Sequence, residues 1–358
     1  MDIIFASSNP HLPQTFGGVE LNTHELALGL KRRGHNVAVL TVLSRVDLFG
    51  LQREAFLVAT RNNVWSDSKL GYEVHRAREP WACIPIIPRY QVAIMTNGRM
   101  VDFAKGFLQA GTRTVAYLHG VTEFKSWDPK FVSGPHALFA GIWSFSEFTA
   151  QRFRQTHGLG SIVIRPIFQE ERYKVHVDGR YVTFINPVPE KGVDRALEIA
   201  ALCPDIQFVF VRGWPLGFKE LRRLKSKLRQ LPNVQLQSST YDIRTIHRHT
   251  KILLVPTSLR WEETWGRVVS EAQISGIPVI ASNHGALPES VGNGGILIDY
   301  EQPAEIWATE VRKLWMEEAY HAKVSQAAIA YSRRMEISPK AQLDLLEASI
   351  EQLMLGPG

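Results

Sequence analysis

Short apolar runs alternate with amphipathic segments along the whole chain. In the amphipathic segments, positions such as Val19, Leu26 and Leu30 recur at helical spacing, and the apolar runs between them are typical of buried strands. This alternation predicts an α/β fold in which helices cover parallel sheets. In the first half it predicts strands at residues 2–7, 35–43, 91–95, 112–118, 142–146 and 161–165, with helices at 19–33, 100–109 and 147–155.

A second alternating series follows a polar, charged segment at residues 166–179 that has no clean period. Its predicted strands are 181–185, 206–211, 234–237, 251–255, 279–281 and 296–298, and its predicted helices are 193–202, 219–231, 243–249, 267–274, 304–331 and 340–355. We therefore place a domain boundary in the polar segment and predict domains at 1–168 and 169–336, followed by a terminal helical segment at 337–358.

Periodicity is poor between residues 44 and 88, where we expect irregular structure. The segment contains Phe49, Phe56, Trp65 and Trp81. Aromatic side chains on loops either stack on a ligand or close a local core, and we favour the local core.

Length and composition fit a soluble protein of two domains. The chain has 358 residues, of which 45% are hydrophobic and 21% charged. Cys83 and Cys203 lie far apart in sequence, which supports neither a disulfide framework nor a zinc cluster and fits a reducing compartment. The N-terminal sequence reads as a first strand and not as a signal peptide, and no apolar run is long enough to cross a bilayer, so we expect a cytoplasmic protein.

The net charge of +6 and the sequence pI near 9.3 predict an anionic partner. A nucleotide diphosphate, an anionic lipid surface and a nucleic acid are all compatible with this charge. The densest basic segment, at residues 219–230, has leucines at helical spacing, so its charges are best read as the solvated face of an amphipathic helix. Because these charges are not interleaved with aromatic residues, nucleic acid is the least favoured partner, and we expect no nucleic-acid binding.

Candidate chemistry is concentrated at residues 256–282. A strand ends at Pro256, an irregular segment follows, and a helix begins after Gly266. The free backbone N–H groups at Gly266, Arg267 and Val268, together with the helix dipole, predict an anion site. Carboxylates near this entrance, Glu263 and Glu271, could accept hydrogen bonds from sugar hydroxyls.

The order of residues in this stretch resembles the signature of the family 4 retaining glycosyltransferases, which are nucleotide-sugar enzymes of the GT-B fold. The matching positions are Pro256-Thr257, Glu263, Trp265-Gly266, Glu271-Ala272 and Gly276-Ile277-Pro278-Val279. The resemblance implies two Rossmann-like, doubly wound α/β domains facing across a cleft, with the late helix crossing back onto the N-terminal domain. It also implies that Glu271 holds the ribose hydroxyls and that Glu263 positions the donor sugar, in a donor site with Thr264, Trp265, Gly266, Arg267 and Val268.

Three further places match the same family. The paired Gly17 and Gly18, before the first helix, resemble the family's opening and imply a position near the donor phosphate or the acceptor. His119, at the end of a predicted strand, resembles the histidine that reaches the donor sugar. Lys191, in a Pro-Glu-Lys-Gly motif, resembles the lysine that stabilises the leaving diphosphate. The predicted catalytic residues are therefore His119, Lys191 and Glu263.

The chain departs from the family at Asn186, where many members have an arginine five residues before the lysine. Asparagine supplies neither a positive charge nor a bidentate fork. Stabilisation of the leaving group is then weaker, or it comes from Arg212 or Arg267. We rank Arg267 higher because it lies at the helix entrance, and a protein without catalytic activity stays an open alternative.

The predicted function is transfer of a sugar from a nucleotide diphosphate sugar to an acceptor hydroxyl, with retention of the anomeric configuration. Neither an Asp-x-Asp motif nor a cluster with metal-ligand spacing is found in the sequence, so we expect metal-independent chemistry with no cofactor besides the donor. The alternatives are a non-catalytic sugar-nucleotide binder and an epimerase or hydrolase on the same fold. A carbohydrate, a lipid-linked sugar and a small molecule are all possible acceptors, and the positive charge is compatible with a peripheral membrane contact. We expect the base to be contacted by backbone groups near residues 238–241.

Overall fold

The computed structural model describes residues 1–214, 216–238 and 240–355. Within this part, the chain divides into two compact units. One comprises Met1–Ile167 and the chain from Ser338 onward, and the other comprises Phe168–Ile337.

The first unit is built on an eight-stranded sheet. Its strands are β1 (Asp2–Pro10), β2 (Asn36–Val42), β3 (Trp65–Asp67), β4 (Glu73–Ala77), β5 (Val92–Asn97), β6 (Arg113–Leu118), β7 (Gly141–Ser144) and β8 (Ile162–Val163). Its helices before the second unit are α1 (Gly18–Arg32), α2 (Leu48–Thr60), α3 (Met100–Gln109) and α4 (Glu147–His157). The strand order is β3-β4-β2-β1-β5-β6-β7-β8, and the pairs are parallel except for β3 with β4. The chain order reverses between β1 and β5.

The second unit has a six-stranded parallel sheet. Its strands are β9 (Tyr181–Ile185), β10 (Phe208–Arg212), β11 (Val234–Ser238), β12 (Thr250–Val255), β13 (Val279–Ser282) and β14 (Gly295–Ile298). Its helices are α5 (Glu170–Tyr173), α6 (Val193–Leu202), α7 (Phe218–Leu228), α8 (Arg244–His247), α9 (Arg267–Gln273), α10 (Leu287–Val291), α11 (Ala304–Met316) and α12 (Glu318–Ser332). The order β11-β10-β9-β12-β13-β14 is that of a Rossmann fold, with its reversal between β9 and β12.

The central strands form because their side chains are buried on both faces of each sheet, as parallel sheets require. In the second unit, Phe184, Phe210 and Leu254 from three adjacent strands share one core with Trp307 of α11, and all four are buried. The prediction of two Rossmann-like α/β domains is thus confirmed.

The last helix, α13 (Pro339–Leu355), belongs to the first unit. Its Glu347 accepts hydrogen bonds from Arg33 Nη1 at 2.5 Å and from His35 Nε2 at 2.7 Å. Gly29 of α1 allows a close approach, because a Cβ there would lie 2.6 Å from Leu343 Cδ1. A polar cluster and a close contact with α1 therefore hold the helix on the first unit.

Two predictions about secondary structure were wrong. Residues 44–88 are not irregular, since they contain α2, β3, β4 and a 3-10 helix at Pro80–Ile86. The predicted helix 304–331 is two helices, α11 and α12, separated at Glu317, whose backbone is extended with φ −96° and ψ 96°. The local core predicted for the aromatic residues of 44–88 is present in part: Phe56 packs edge-on to Trp65, and Trp81 packs edge-on to Phe103.

Candidate functional site

The predicted site residues of the second unit gather at the carboxyl ends of its central strands. Asn186 and Lys191 follow β9, Arg212 ends β10, and Glu263 follows β12. The strand order reverses between β9 and β12, and ligands of open α/β sheets bind outside the carboxyl ends at such a point. The second unit therefore has its candidate site where its topology favours ligand binding.

The loop after β9 is held against the end of β12. Gly192 has φ 80°, and a Cβ there would lie 1.7 Å from the carbonyl oxygen of Pro256, so this position requires glycine. The carbonyl oxygen of Glu190 accepts hydrogen bonds from the N–H and the Oγ of Ser258, at 3.0 and 3.1 Å. The two loops that carry Lys191 and Glu263 are thereby fixed to each other.

Lys191 and Glu263 form an ion pair, Nζ to Oε1, although 72 residues separate them in sequence. Their side chains are only 13% and 12% exposed. Two tryptophans lie beside the ammonium group, which is 4.7 Å from the ring centroid of Trp214 and 5.4 Å from that of Trp261. The indoles contact each other nearly edge-to-face, with centroids 5.7 Å apart. A cation, a carboxylate and two half-exposed aromatic rings thus form one cluster, which we call the Lys191 cluster.

The backbone of Glu263 is fixed by the turn after β13. Its carbonyl oxygen accepts a hydrogen bond of 2.7 Å from the N–H of Ala286, and a Cβ on Gly285 would lie 2.8 Å from the same oxygen. In the same region, Thr257 O accepts hydrogen bonds of 2.8 Å from Ser282 Oγ and His284 Nε2. The carboxylate is therefore presented from a loop that backbone contacts hold in place, as a group that must hold a ligand in one orientation requires.

The helix after this loop begins as predicted, with Gly266 at its N-cap in the left-handed conformation, φ 75°. Trp265, just before it, is buried and donates from Nε1 to Ser270 Oγ at 3.0 Å. Its indole is therefore part of the core, and a donor contact at this position would be made by the backbone. Thr264 and Val268 flank this start and are half-buried.

Arg267 and Glu271 pair one helical turn further on, with Nε and Oε1 3.3 Å apart and both side chains buried. The guanidinium of Arg267 also donates to Tyr173 Oη at 2.8 Å and lies 4.3 Å from the ring centroid of Phe168. The Arg267 side chain therefore has three partners in the second unit: Glu271, Tyr173 and Phe168. Arg212, at the end of β10, donates instead to Ser238 Oγ at 2.9 Å. Ser239, in the segment expected to contact the base, lies outside the described residues.

The remaining predicted residues belong to the first unit. Gly17 and Gly18 follow β1 and begin α1, Gly17 as the N-cap. His119 follows β6, is buried, and donates from Nδ1 to Tyr117 O at 3.0 Å. Its ring packs between those of Tyr117 and Phe145, with centroids at 4.2 and 4.6 Å. The glycines and the histidine thus lie at the carboxyl edge of the first sheet.

Two acidic residues near these positions were not predicted from the sequence. Burial raises the pKa of Glu123 to about 8, although backbone hydrogen bonds from Gly120 and His119 act to lower it. Burial also raises the pKa of Glu20, which lies next to Gly17: a Cβ on that glycine would be 2.3 Å from the Glu20 Oε2. The only signal for them in the sequence is proximity to predicted residues: Glu123 lies four positions after His119, and Glu20 lies three positions after Gly17.

The described residues do not bring three or more His, Cys, Asp or Glu side chains into an arrangement that could hold a metal ion. In the same part of the chain, each helix is too short or too polar to cross a membrane.

Residues 170–331 match the sequence model of the family described as glycosyl transferases group 1. The chain is 30% identical over 115 residues to the D-inositol 3-phosphate glycosyltransferase of Corynebacterium kroppenstedtii, covering 31% of this chain and 25% of that protein. It is 28% identical over 141 residues to spore coat protein SA of Bacillus subtilis, covering 37% of this chain and 36% of that protein. The chain spans about a quarter to a third of the length of these curated relatives.

Solved structures match over nearly the whole chain. Anabaena HepE in complex with UDP-glucose has a TM-score of 0.76 at 17% identity, covering 98% of this chain and 100% of that chain. Sucrose-phosphate synthase from Thermosynechococcus elongatus has a TM-score of 0.73 at 15% identity, covering 99% and 100%. At these identities the likeness shows the fold alone, and it confirms the GT-B fold class.

Proposed function

We propose that this protein is a retaining glycosyltransferase that transfers a sugar, of the hexosyl class, from a nucleotide diphosphate sugar to an acceptor hydroxyl. The observation that carries the proposal is the ion pair of Lys191 with Glu263 at the topological switch point of the second unit. This unit contains the region that matches the glycosyl transferase family model. A cation for a diphosphate and a carboxylate for sugar hydroxyls then lie together in the place where a nucleotide sugar would bind.

In the proposed reaction, the bond between the anomeric carbon and the diphosphate oxygen breaks, and its electron pair goes to the diphosphate. A new bond forms between the anomeric carbon and the acceptor oxygen, and the proton of the acceptor hydroxyl passes to the departing diphosphate. Lys191 would neutralise the charge that grows on the leaving group, a contribution of about 3 kcal/mol for one well-placed donor. Glu263 would accept hydrogen bonds from the transferred sugar, and Glu271 from the ribose.

The other predicted roles are part of the same proposal. The backbone N–H groups near Gly266 would bind the diphosphate, and Arg267 or Arg212 would supply further positive charge. His119 would contact the donor sugar, and Gly17 and Gly18 would lie near the phosphate or the acceptor. The chemistry is proposed to need neither a metal nor a cofactor, because protein cations and backbone N–H groups supply the charge that a magnesium ion would otherwise give.

A cytoplasmic location and a carbohydrate, lipid-linked or small-molecule acceptor complete the proposal. Contact with a membrane surface is compatible with the net charge of +6. HepE, whose fold is similar, has been solved with UDP and with UDP-glucose, so uridine nucleotides are the rational first probes.

The test begins with a thermal-shift screen against nucleoside diphosphates and their sugars, because a ligand at 100 times its Kd stabilises the folded state by about 2.7 kcal/mol. The best donor is then incubated with candidate acceptors, with and without EDTA. The proposal predicts release of the nucleoside diphosphate and a glycosylated product whose anomeric configuration, read by NMR, equals that of the donor. EDTA should leave the rate unchanged.

Each alternative gives its own result. Binding of a donor without turnover, with every acceptor class tried, would favour a non-catalytic binder. Release of free sugar or of an epimerised nucleotide sugar without any acceptor would favour a hydrolase or an epimerase. The control for turnover is Lys191→Met, which removes the ammonium group but keeps an unbranched side chain. Turnover that depends on Lys191 should fall in this variant.

A further inference from the structure

Helix α2 of the first unit presents an apolar face to solvent. Four large apolar side chains of the helix are exposed: Leu48 by 76%, Leu51 by 50%, Phe56 by 47% and Val58 by 64%. Val46, which precedes the N-cap, is 90% exposed. Toward the protein, the helix buries Gly50, Glu54 and Leu57. A surface helix ordinarily has the opposite arrangement, with apolar residues inside and charges outside.

Polar contacts hold α2 in this orientation. The N-cap residue, Asp47, accepts hydrogen bonds from the N–H of Gly50 at 2.7 Å and from Gln14 Nε2 at 3.0 Å. The buried carboxylate of Glu54 forms an ion pair with Arg78. A Cβ on Gly50 would lie 1.7 Å from the carbonyl oxygen of Ser44, so the first turn of the helix packs closely against the segment that precedes it. The exposed apolar face is therefore a fixed feature of the fold.

The exposed charges of the α2 segment are positive. Arg45 and Arg61 are exposed at the two ends of α2, and the exposed positions between them carry no formal charge. The two acidic residues of the segment, Asp47 and Glu54, are engaged on the protein side. An apolar strip between two cations fits the boundary of an anionic bilayer, where apolar side chains enter the acyl region and cations contact the headgroups.

We propose that this surface docks on an anionic lipid membrane. We call it the α2 face and define it as Val46, Leu48, Leu51 and Val58 with Arg45 and Arg61. A second copy of the chain is the less favoured occupant, because a symmetric contact repeats the same cations on both sides and offers them no exposed acid within the segment. The inference assigns to one surface the membrane contact that the net charge allows, and it does not depend on the proposed glycosyl transfer.

The test is co-sedimentation of the purified full-length protein with vesicles of phosphatidylcholine alone and of phosphatidylcholine with phosphatidylglycerol. We expect binding to the anionic vesicles, weakened by added salt. The double variant Leu51→Glu/Val58→Glu should lower the apparent partition coefficient by about tenfold or more, and Arg45→Gln by about fivefold. The control is Leu345→Glu, which adds a charge at another half-exposed leucine of the same unit and should leave binding unchanged.

Circular dichroism and the melting temperature establish that each variant is folded, and donor binding in the thermal-shift screen provides an independent check. Three results would overturn the proposal. The wild-type protein could fail to sediment with anionic vesicles, the double variant could bind as well as the wild type, or light scattering could show a dimer that the double variant dissociates. The last result would assign the α2 face to a second copy of the chain.

Discussion

Asn186 Oδ1 accepts a hydrogen bond of 2.7 Å from the backbone N–H of Trp214. The amide fits closely against the turn after β10, since a Cβ on Gly213 would lie 2.4 Å from the same oxygen. Asn186 has φ 61°, a conformation that asparagine adopts more readily than most residues. Because Trp214 lies beside the ammonium of Lys191, the asparagine helps to fix the Lys191 cluster. An arginine could not take this role, since a guanidinium group has no acceptor.

We predict that Asn186→Ala lowers the free energy of unfolding by about 1 to 2 kcal/mol, because it removes a hydrogen bond and an αL-tolerant residue. Asn186→Asp keeps the acceptor and should be closer to wild type in urea unfolding. Asn186→Arg should lower both stability and turnover. An Asn186→Arg variant that is faster than wild type would instead show that the missing family arginine limits the reaction.

Replacing the aromatic partners of Lys191 should weaken the reaction without unfolding the protein. Trp214→Ala and Trp261→Ala each remove a cation–π contact worth about 0.5 to 2 kcal/mol, so we expect kcat/KM to fall by about 2- to 30-fold. Trp214→Phe and Trp261→Phe keep an aromatic face and should retain most of the activity. Alanine variants with wild-type kcat/KM for the identified donor would exclude a role for these rings.

A double-mutant cycle separates the structural and chemical roles of the Lys191–Glu263 pair. Lys191→Met or Glu263→Gln alone leaves a mostly buried group without its charged partner and should lower the free energy of unfolding by about 2 kcal/mol. The double variant should lose less stability than the sum of the single changes. Turnover, in contrast, should fall by about a hundredfold or more with Lys191→Met and not recover in the double variant. Recovery of turnover together with stability would make the pair purely structural.

Much of the fold could be predicted from the sequence because most elements obey simple periods. The helices 100–109 and 193–202 and the strand 181–185 have the predicted bounds in the structure. Helix α2 could not be predicted from periodicity, because most of its large apolar residues face solvent while Glu54 is buried. Its hydrophobic pattern therefore does not indicate which side faces the core. The break at Glu317 was missed because neither glycine nor proline marks it.

The candidate site could be located from the sequence where one segment carries several candidate groups, as in the stretch from Pro256 to Gly266. The contact between Lys191 and Glu263 depends on two loops from different strands, and the family motifs indicated both residues without specifying their ion pair. Trp214 and Trp261 could not be predicted as neighbours, since their contact also depends on the turn held by Asn186. Long-range loop packing of this kind has no local sequence period.

His247 should make the protein sensitive to acid. Its ring is fully buried, and its nitrogens have no hydrogen-bond partner among the described residues. Burial lowers its pKa from 6.5 to about 4. Below pH 6.5 the unfolded chain binds a proton that the folded chain does not, so stability falls as the pH drops toward 4. His247→Leu should flatten this part of the curve by up to about 3 kcal/mol, measured by urea unfolding against wild type. Parallel curves for the two proteins would contradict this prediction.

Glu123 should act in the opposite direction and in a higher pH window. Burial raises the pKa of its carboxyl from 4.5 to about 8, so the folded chain keeps a proton that the unfolded chain releases as the pH rises above 4.5. The free energy of unfolding therefore falls progressively as the pH rises from 4.5 to 8. Glu123→Gln stays neutral in both states and should be more stable than wild type at pH 8 by at least about 1 kcal/mol, with a smaller difference near pH 5. Glu318→Gln, at an exposed position of α12, is the matched control and should show no such trend. An equal difference between Glu123→Gln and wild type at both pH values would mean that Glu123 is ionised in the folded protein.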